Sequence, residues 1–222
     1  KEESNHCINV LRYSIGDEIN IVDGVGNMYV GIVSEIINKE CFVKIIKTIN
    51  DFKNKDYYIH VGISPIKNHS RFEWFVEKAV EVGIDEISII NCARTIKKSI
   101  RKNRIDRISQ IAMKQTIKAK LPSINYDVSF EDFIQNNLQG SKYICHLNKE
   151  ITKTLFDCSN NFKYKQSSIL IGPEGDFTEY EVESALKENF IEISLGHSRL
   201  RTETAGVVAC NLLNVMYENK ER

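Results

Sequence analysis

Two glycine-containing turns in the second half of the chain hold residues suited to ligand chemistry. In the first, an apolar run at 169–171 leads into Gly172-Pro173-Glu174-Gly175 and then a helix start. In open α/β sheets, ligands bind just beyond the carboxyl ends of strands. Two glycines allow close backbone approach, and proline fixes the turn. Alone, this motif indicates either a ligand-binding loop or a tight structural turn.

The second turn, at residues 195–205, reads Leu-Gly-His-Ser-Arg-Leu-Arg-Thr-Glu-Thr-Ala. It again follows a strand-like run and precedes a helical one. Two arginines, a glutamate and two threonines crowd the transition. Arg201 and Glu203 can form a surface ion pair of little energetic value, or they can orient a substrate.

A strongly basic stretch lies between these turns and the N-terminal third. Against a single acidic residue, Asp106, it holds ten basic ones: Arg94, Lys97, Lys98, Arg101, Lys102, Arg104, Arg107, Lys114, Lys118 and Lys120. Such a local excess favours a polyanionic partner. A solvated helix face stabilised by ion pairs is the alternative interpretation.

The elements that must position these residues fall into two groups. Strand-like runs at 17–22, 28–37 and 41–49, joined by tight turns, predict a small β-barrel or sandwich. The glycines at 24 and 26 lack the third glycine and the following helix of a dinucleotide loop, so they predict a hairpin.

From residue 57 onward, strand and helix patterns alternate. Strands are predicted at 57–63, 87–90, 142–146, 169–171 and 191–195, and helices at 71–82, 103–119, 178–189 and 202–218. This alternation predicts a mostly parallel sheet covered on both faces. The chain is therefore expected to contain a β-rich domain followed by an α/β domain.

Composition excludes several classes of protein. The 222 residues are 42% hydrophobic and 27% charged, which is typical of a globular chain rather than a disordered one. No apolar run is long enough for a membrane span, and the first residues lack the apolar core of a signal peptide, so a cytoplasmic protein is expected. The six cysteines form no CxxC pair and the five histidines lack metal-ligand spacing, so reduced thiols and no metal site are expected.

In their order and spacing, these segments resemble the RsmE family, the 16S ribosomal RNA (uracil-N3)-methyltransferases of the SPOUT superfamily. The family's GPEGG-F turn appears at 172–177 and its LG-x3-LRTETA segment at 195–205. Its KA-x-ELG helix end appears at 78–83, with Val82 in place of leucine. His6, the Val-Leu-Arg run at 10–12, the Gly-Asp pair at 16–17 and the turn at 23–26 resemble its N-terminal domain. The chain departs from the family at Asp176, where glycine is usual, and at Lys114 and Lys118, which replace glutamate and arginine.

The resemblance implies a fold, a reaction and its partners. The fold is a SPOUT-type α/β domain over 63–222, with a deep trefoil knot and a homodimer interface, after a small PUA-like β-barrel over 1–62. The reaction transfers a methyl group from S-adenosylmethionine to N3 of a uridine in 16S rRNA of the assembled small ribosomal subunit.

The same resemblance assigns site residues. Arg201, with Arg199 as second choice, is expected to stabilise the uridinate oxygens, and Glu203 to orient Arg201 or accept a proton. Glu174 is a competing base. Backbone and side chains expected at the cofactor are Gly172, Pro173, Glu174, Gly175, Leu195, Gly196, Leu200 and Thr204. Residues expected to face RNA are Arg12, Lys67, Arg71, Arg94, Lys97, Lys98, Arg101, Lys114 and Lys118.

Rival functions remain. A ribose 2′-O RNA methyltransferase shares the knot but not the LRTETA segment or this N-terminal domain. A catalytically idle RNA-binding module would not need Glu174, Arg201 and Glu203 together. An NAD-dependent oxidoreductase is disfavoured because the chain has no GxGxxG at a strand–helix junction.

Overall fold

The structure is a computed structural model that describes residues 1–96, 99–136, 139–147, 153–161 and 165–220. The chain forms two compact units. The first comprises Lys1–Asn54 and Met113–Leu121, and the second comprises Lys55–Ala112 and Pro122–Arg222. These units differ from the predicted ranges 1–62 and 63–222, because 55–62 lies in the second unit and 113–121 in the first.

The first unit is a three-stranded antiparallel sheet with a helical N-terminus. Helix α1 (Glu2–Asn5) continues into a π-helical turn (His6–Val10), and the strands are β1 (Glu18–Val22), β2 (Met28–Ile37) and β3 (Glu40–Ile49), in the order β1-β2-β3. The glycine turn at 23–27 joins β1 to β2, which confirms the predicted hairpin. Its Asp23 carboxylate accepts backbone hydrogen bonds from Val25, Gly26 and Asn27. The bonds from Asn27, followed by the bond from Val25, lower the pKa of Asp23.

The segment 113–121 packs onto this hairpin. The amide of Leu121 donates to the carbonyl of Gly24 at 2.8 Å, and the amide of Gly26 donates to the carbonyl of Ala119 at 2.9 Å. The helix predicted to reach residue 119 therefore ends earlier, at Gln115. Ile117 has a left-handed φ of 50°, which is incompatible with a continuing α-helix.

The second unit contains a six-stranded parallel sheet, as the alternating pattern predicted. Its strands are β4 (Tyr58–Ile63), β5 (Glu86–Asn91), β6 (Ser123–Ser129), β7 (Ser141–Cys145), β8 (Gln166–Ile171) and β9 (Ile191–Ile193), in the order β6-β5-β4-β8-β7-β9. Its helices are α2 (His69–Val82), α3 (Lys102–Gln115), which runs into the first unit, α4 (Phe130–Gln135), α5 (Glu179–Lys187) and α6 (Thr202–Lys220), with a 3-10 turn at Phe156–Asn161. Strand β6 and helix α4 were not predicted from the sequence.

Local sequence sets the helix ends nearest the candidate site. Asn68 caps α2, where its side chain accepts from the amide of Arg71, and Gly83 ends α2 with a left-handed φ of 111°. Thr178 and Glu181 form the predicted capping box at the start of α5. These caps fix where α2 and α5 leave the carboxyl edge of the sheet.

Helices cover both faces of the parallel sheet. On one face, Ile90, Ile144 and Leu170 pack with residues of α4 and α5, among them Phe133 and Val182. On the other, α6 packs against α2 and against β4 and β8. Gly206 permits this close approach, because a Cβ there would lie 2.5 Å from the Phe75 ring. In the described part of the chain, no helix is long and apolar enough to cross a membrane.

Candidate cofactor and substrate site

Three neighbouring strands end at one edge of the parallel sheet. Cys145 at the end of β7 is paired with Ile171 at the end of β8 and with Ile193 at the end of β9. The loops that follow these strands, together with the starts of α2 and α6, surround a cavity of about 430 Å³. This is the position at which open α/β sheets bind ligands.

The cavity brings together nine of the eleven residues predicted for catalysis and cofactor binding, and Arg71 from those predicted to face RNA. Its predicted lining residues are Arg71, Gly172, Pro173, Glu174, Leu195, Gly196, Arg199, Leu200, Arg201 and Glu203. Gly175 and Thr204, predicted to hold the cofactor, do not line it. Gly175 faces Arg94 instead, whose Nη1 donates to its carbonyl at 2.9 Å. Thr204 is half-buried in the first turn of α6.

Sequence reasoning missed several lining residues. They are Cys145, His146, Leu147, Ile171, Asp176, Ile193, Ser194, Ser198, Thr202 and Ala205. Some of these flank the two motifs and could have been found from them. Cys145 at the end of β7 and the two residues after it could not, because their place depends on β7 lying between β8 and β9.

A buried hydrogen bond joins the two glycine motifs. Thr202 Oγ1 donates to the carbonyl of Gly172 at 3.0 Å, and the side chain of Thr202 is buried. Gly172 itself has little room, because a Cβ there would lie 3.1 Å from the Phe177 ring. Gly196 is different: its φ is 126°, and a Cβ there would meet no atom within 4 Å. The turn after β8 is therefore tightly packed, whereas Gly196 borders open space.

Asp176 stands where the resemblance leads one to expect glycine. Its φ of 63° lies in the left-handed region, which aspartate tolerates better than most residues with a side chain. The carboxylate accepts from the amide of Leu147 and from that of Phe177, each at 2.8 Å. Asp176 therefore links the loop after β7 to the turn after β8, an interaction that glycine cannot make.

Glu174 contacts the segment that leads into α2. Its Oε1 accepts from the amide of Lys67 at 2.9 Å, and its side chain is exposed. Asn68, the next residue, caps α2. The turn after β8 thus fixes the start of the helix that carries Arg71.

Arg71 forms an ion pair with Glu203 inside the second unit. The Nε atom of Arg71 lies 2.9 Å from Oε1 of Glu203, and the Glu203 residue is only 6% exposed. A buried carboxylate without a partner is costly, so this pair stabilises the junction of α2 and α6. Glu203 was predicted to orient Arg201 or to accept a proton, and in the structure its ion pair is with Arg71. Arg199 and Arg201 are exposed at the cavity.

His146, which lines the cavity, pairs with Glu192 of β9. His146 Nε2 lies 2.7 Å from Oε1 of Glu192, and the His146 side chain is largely buried whereas that of Glu192 is half-buried. Sequence reasoning dismissed His146 because it lacks metal-ligand spacing. Within the described residues, no group of three or more His, Cys, Asp or Glu side chains could hold a metal ion.

The predicted RNA-facing residues are divided between the two units. Arg12, Lys114 and Lys118 lie in the first unit, and Lys67, Arg71, Arg94 and Arg101 in the second. Lys114 pairs with Glu3, and Arg94 donates to the carbonyls of Gly175 and Phe177. Lys97 and Lys98 lie outside the described residues.

Comparison with known proteins defines the class of protein that this fold and cavity represent. Residues 53–214 match the family model of the RNA methyltransferase domain, and residues 1–46 match that of the RNA methyltransferase PUA domain. Both compact units are thus represented in RNA methyltransferases.

Individual relatives define the family more narrowly. Ribosomal RNA small subunit methyltransferase E from Buchnera aphidicola subsp. Acyrthosiphon pisum is 30% identical over 97% of this chain and 87% of its own length. Its namesake from Bacillus subtilis is 25% identical over 98% of this chain and 89% of its own. The chain belongs to the RsmE family of RNA methyltransferases.

Solved structures share the fold over nearly the whole chain. The probable rRNA-methyltransferase from Porphyromonas gingivalis aligns with a TM-score of 0.89 and 34% identity, covering 99% of this chain and 92% of that one. The ribosomal RNA small subunit methyltransferase E from Neisseria gonorrhoeae, solved bound to S-adenosyl methionine, aligns with a TM-score of 0.87 and 22% identity, covering 97% and 89%.

Proposed function

We propose that this protein is an S-adenosylmethionine-dependent methyltransferase that modifies N3 of a uridine in 16S rRNA of the assembled small ribosomal subunit. The observation that carries the proposal is the cavity at the ends of β7, β8 and β9. In a chain of the RsmE family, the two family motifs form its walls. Relatives named for small-subunit rRNA methylation support the substrate.

The cavity fits S-adenosylmethionine in size and chemistry. Its volume of about 430 Å³ lies in the range of small-molecule sites. Apolar side chains of Ile171, Ile193, Leu195 and Leu200 suit the adenine ring, and the open space at Gly196 allows a ligand to approach the backbone. When bound, the cofactor supplies an electrophilic methyl group on a sulfonium. Gly172, Pro173, Glu174, Leu195, Gly196 and Leu200 are the proposed cofactor-holding residues.

The protein's main chemical task is to make the acceptor reactive. N3 of uridine carries a proton, and the nitrogen becomes a good nucleophile once that proton has left. The negative charge that develops then spreads to O2 and O4, so a preorganised cation near those oxygens stabilises the transition state. Arg201 and Arg199 remain proposed for this role, since both line the cavity.

Arg71 is held in place more firmly than Arg199 and Arg201. Its Nε is held by buried Glu203, and its backbone by the Asn68 cap. Within the described part of the chain, its guanidinium makes no other hydrogen bond, so the remaining N–H groups can donate to an acceptor in the cavity. We therefore assign Arg71 to the uracil oxygens and Glu203 to positioning Arg71.

The RNA-binding surface and the assembly remain proposals. Lys67 and Arg101 are exposed on the second unit, and Arg12 and Lys114 on the first, and these cations suit a phosphate backbone. The family resemblance supports a PUA-like barrel in 1–62, a knotted SPOUT domain in 63–222, a homodimer and a cytoplasmic location.

The test uses purified full-length chain, S-adenosylmethionine labelled on the methyl group, and small ribosomal subunits that lack the modification. After incubation, the rRNA is digested to nucleosides and analysed by mass spectrometry. Label in 3-methyluridine supports the proposal. Label in 2′-O-methyluridine would make the protein a ribose methyltransferase. Binding of S-adenosylhomocysteine and of subunits without any label would leave an idle RNA-binding module.

A further inference from the structure

Two cysteines of the first unit lie side by side although 34 positions separate them in the sequence. The Sγ atoms of Cys7 and Cys41 are 3.5 Å apart. Cys7 belongs to the π-helical turn, and Cys41 is the second residue of β3. We propose that this pair is a dithiol oxidation site that a hydroperoxide converts to an intrachain disulfide.

The positions of the two sulfurs favour a disulfide bond between Cys7 and Cys41. A disulfide needs its sulfurs about 2 Å apart, so the pair must close by only about 1.5 Å. Cys7 sits in a short helical turn near the N-terminus, and α1 packs against β3. A small shift of this N-terminal segment can close the gap without breaking the β2–β3 ladder, in which Cys41 pairs with Ile36.

The two thiols differ in their surroundings. Cys7 is 6% exposed, and burial, followed by the hydrogen bond to Cys41, raises the pKa of its thiol to about 11. Cys41 is half-buried and therefore reachable by a small oxidant. Because the thiolate is the reactive form, Cys41 is expected to react first and Cys7 second.

The chemistry balances with a hydroperoxide as the oxidant. The Cys41 thiolate attacks hydrogen peroxide and becomes a sulfenic acid, and hydroxide leaves. The Cys7 sulfur then attacks the Cys41 sulfur, its proton joins the departing hydroxyl, and water is released. The two thiols lose two electrons in all, and these reduce the O–O bond of the peroxide.

The experiment treats the native full chain with hydrogen peroxide and maps the products without reduction. Trypsin cleaves after Lys1 and Arg12 and after Lys39 and Lys44, so each cysteine lies in its own short peptide. We expect a linked pair of peptides 2–12 and 40–44 that dithiothreitol separates. After denaturation, the titratable thiols of the treated chain should fall from six to four.

Two serine variants make the result specific. Cys41→Ser should abolish the linked peptides, whereas Cys210→Ser, a buried cysteine of the other unit, should leave their yield within about twofold. The proposal is wrong if Cys41 is oxidised to sulfinic acid while Cys7 stays reduced. It is also wrong if Cys7 links to a cysteine other than Cys41. Because no methyl transfer is measured, these outcomes are independent of the proposed enzymatic function.

Discussion

The two motifs that form the cavity walls differ in how firmly the fold holds them. The turn after β8 is bonded to its surroundings at many points: Thr202 to Gly172, Lys67 to Glu174, Arg94 to Gly175 and Leu147 to Asp176. The loop after β9 has bonds at its beginning, where Ser194 and Gly196 bond to each other. Its next residues, 197–200, make no hydrogen bond within the described part of the chain.

We call the turn at 172–177 the braced turn and the loop at 195–201 the open loop, and their difference indicates two separate tasks. The braced turn presents its backbone in one conformation, as a cofactor pocket requires. The open loop carries Arg199 and Arg201 on exposed side chains, which suits groups that must meet a large RNA substrate. Arg71 belongs to the braced side, since Glu174 holds the segment before its helix and Glu203 holds its side chain. Substitutions on the two sides should therefore affect different steps.

The largest effect is expected from Arg71→Ala. If the braced arginine stabilises the uridinate, kcat should fall by about 100-fold or more, equivalent to about 3 kcal/mol of transition-state stabilisation. Affinity for S-adenosylhomocysteine should stay within about threefold, because the substitution leaves the glycine turns intact. Single-turnover methylation of small subunits and calorimetric titration measure the two quantities.

A matched control for that variant is Arg104→Ala. Like Arg71, Arg104 pairs with a glutamate, in this case Glu73 of α2 at 3.3 Å, but Arg104 does not line the cavity. It should keep kcat within about twofold, as expected of an exposed ion pair. If Arg71→Ala instead weakens cofactor binding strongly while kcat at saturation is unchanged, Arg71 belongs to the cofactor pocket.

Arg201→Ala tests the role of the open loop. Without Glu203 as its partner, Arg201 is less preorganised than Arg71, and we expect kcat to fall by about 10- to 30-fold. Cofactor affinity should be nearly unchanged. The proposed difference between the braced turn and the open loop is wrong if Arg201→Ala lowers kcat more than Arg71→Ala does under the same conditions.

Gly172→Ala probes the packing of the braced turn. The added Cβ would lie 3.1 Å from the Phe177 ring, which is itself buried, so the turn must shift. We expect a loss of cofactor affinity of about 10-fold, corresponding to about 1.4 kcal/mol. Gly175→Ala is the control, since its Cβ would make ordinary contacts at 3.5 Å outside the cavity. Equal losses in both variants would contradict the assignment.

The sequence predicted the elements with strong local patterns. The parallel sheet followed from alternating apolar runs and helices, and the α5 start followed from Thr178 and Glu181, whose spacing forms a capping box by itself. Strand β6 was missed although Ile124, Tyr126 and Val128 alternate with polar residues as in a half-buried strand. Helix α4 was missed because its six residues are too few to show a helical period. The end of α3 was misplaced because contacts with Gly24 and Gly26, far away in sequence, end the helix.

Prediction of the site from the sequence has the same limit, since contacts between distant segments are not visible in local patterns. The motifs at 172–177 and 195–205 were recognised as candidate ligand-binding segments because glycine, proline and charged residues follow two predicted strands directly. The pairing of Glu203 with Arg71 was not foreseen, because 132 positions separate these residues and only the packing of α2 on α6 joins them. Likewise, His146 acquires its place in the cavity from the strand order β8-β7-β9.

The smallest effect is expected at Asp176, where opposing contributions nearly cancel. Asp176→Gly removes the bonds to the amides of Leu147 and Phe177, at about 1 kcal/mol each. It also relieves the left-handed backbone conformation, which costs a residue with a side chain about 1 kcal/mol. Cofactor affinity should therefore fall by only about threefold to fivefold. Asp176→Asn keeps an acceptor oxygen and tolerates the same φ, so it should lie between the wild type and the glycine variant. If Asp176→Gly binds the cofactor more tightly than the wild type, the backbone strain outweighs the link to Leu147, and the loop after β7 needs no such brace.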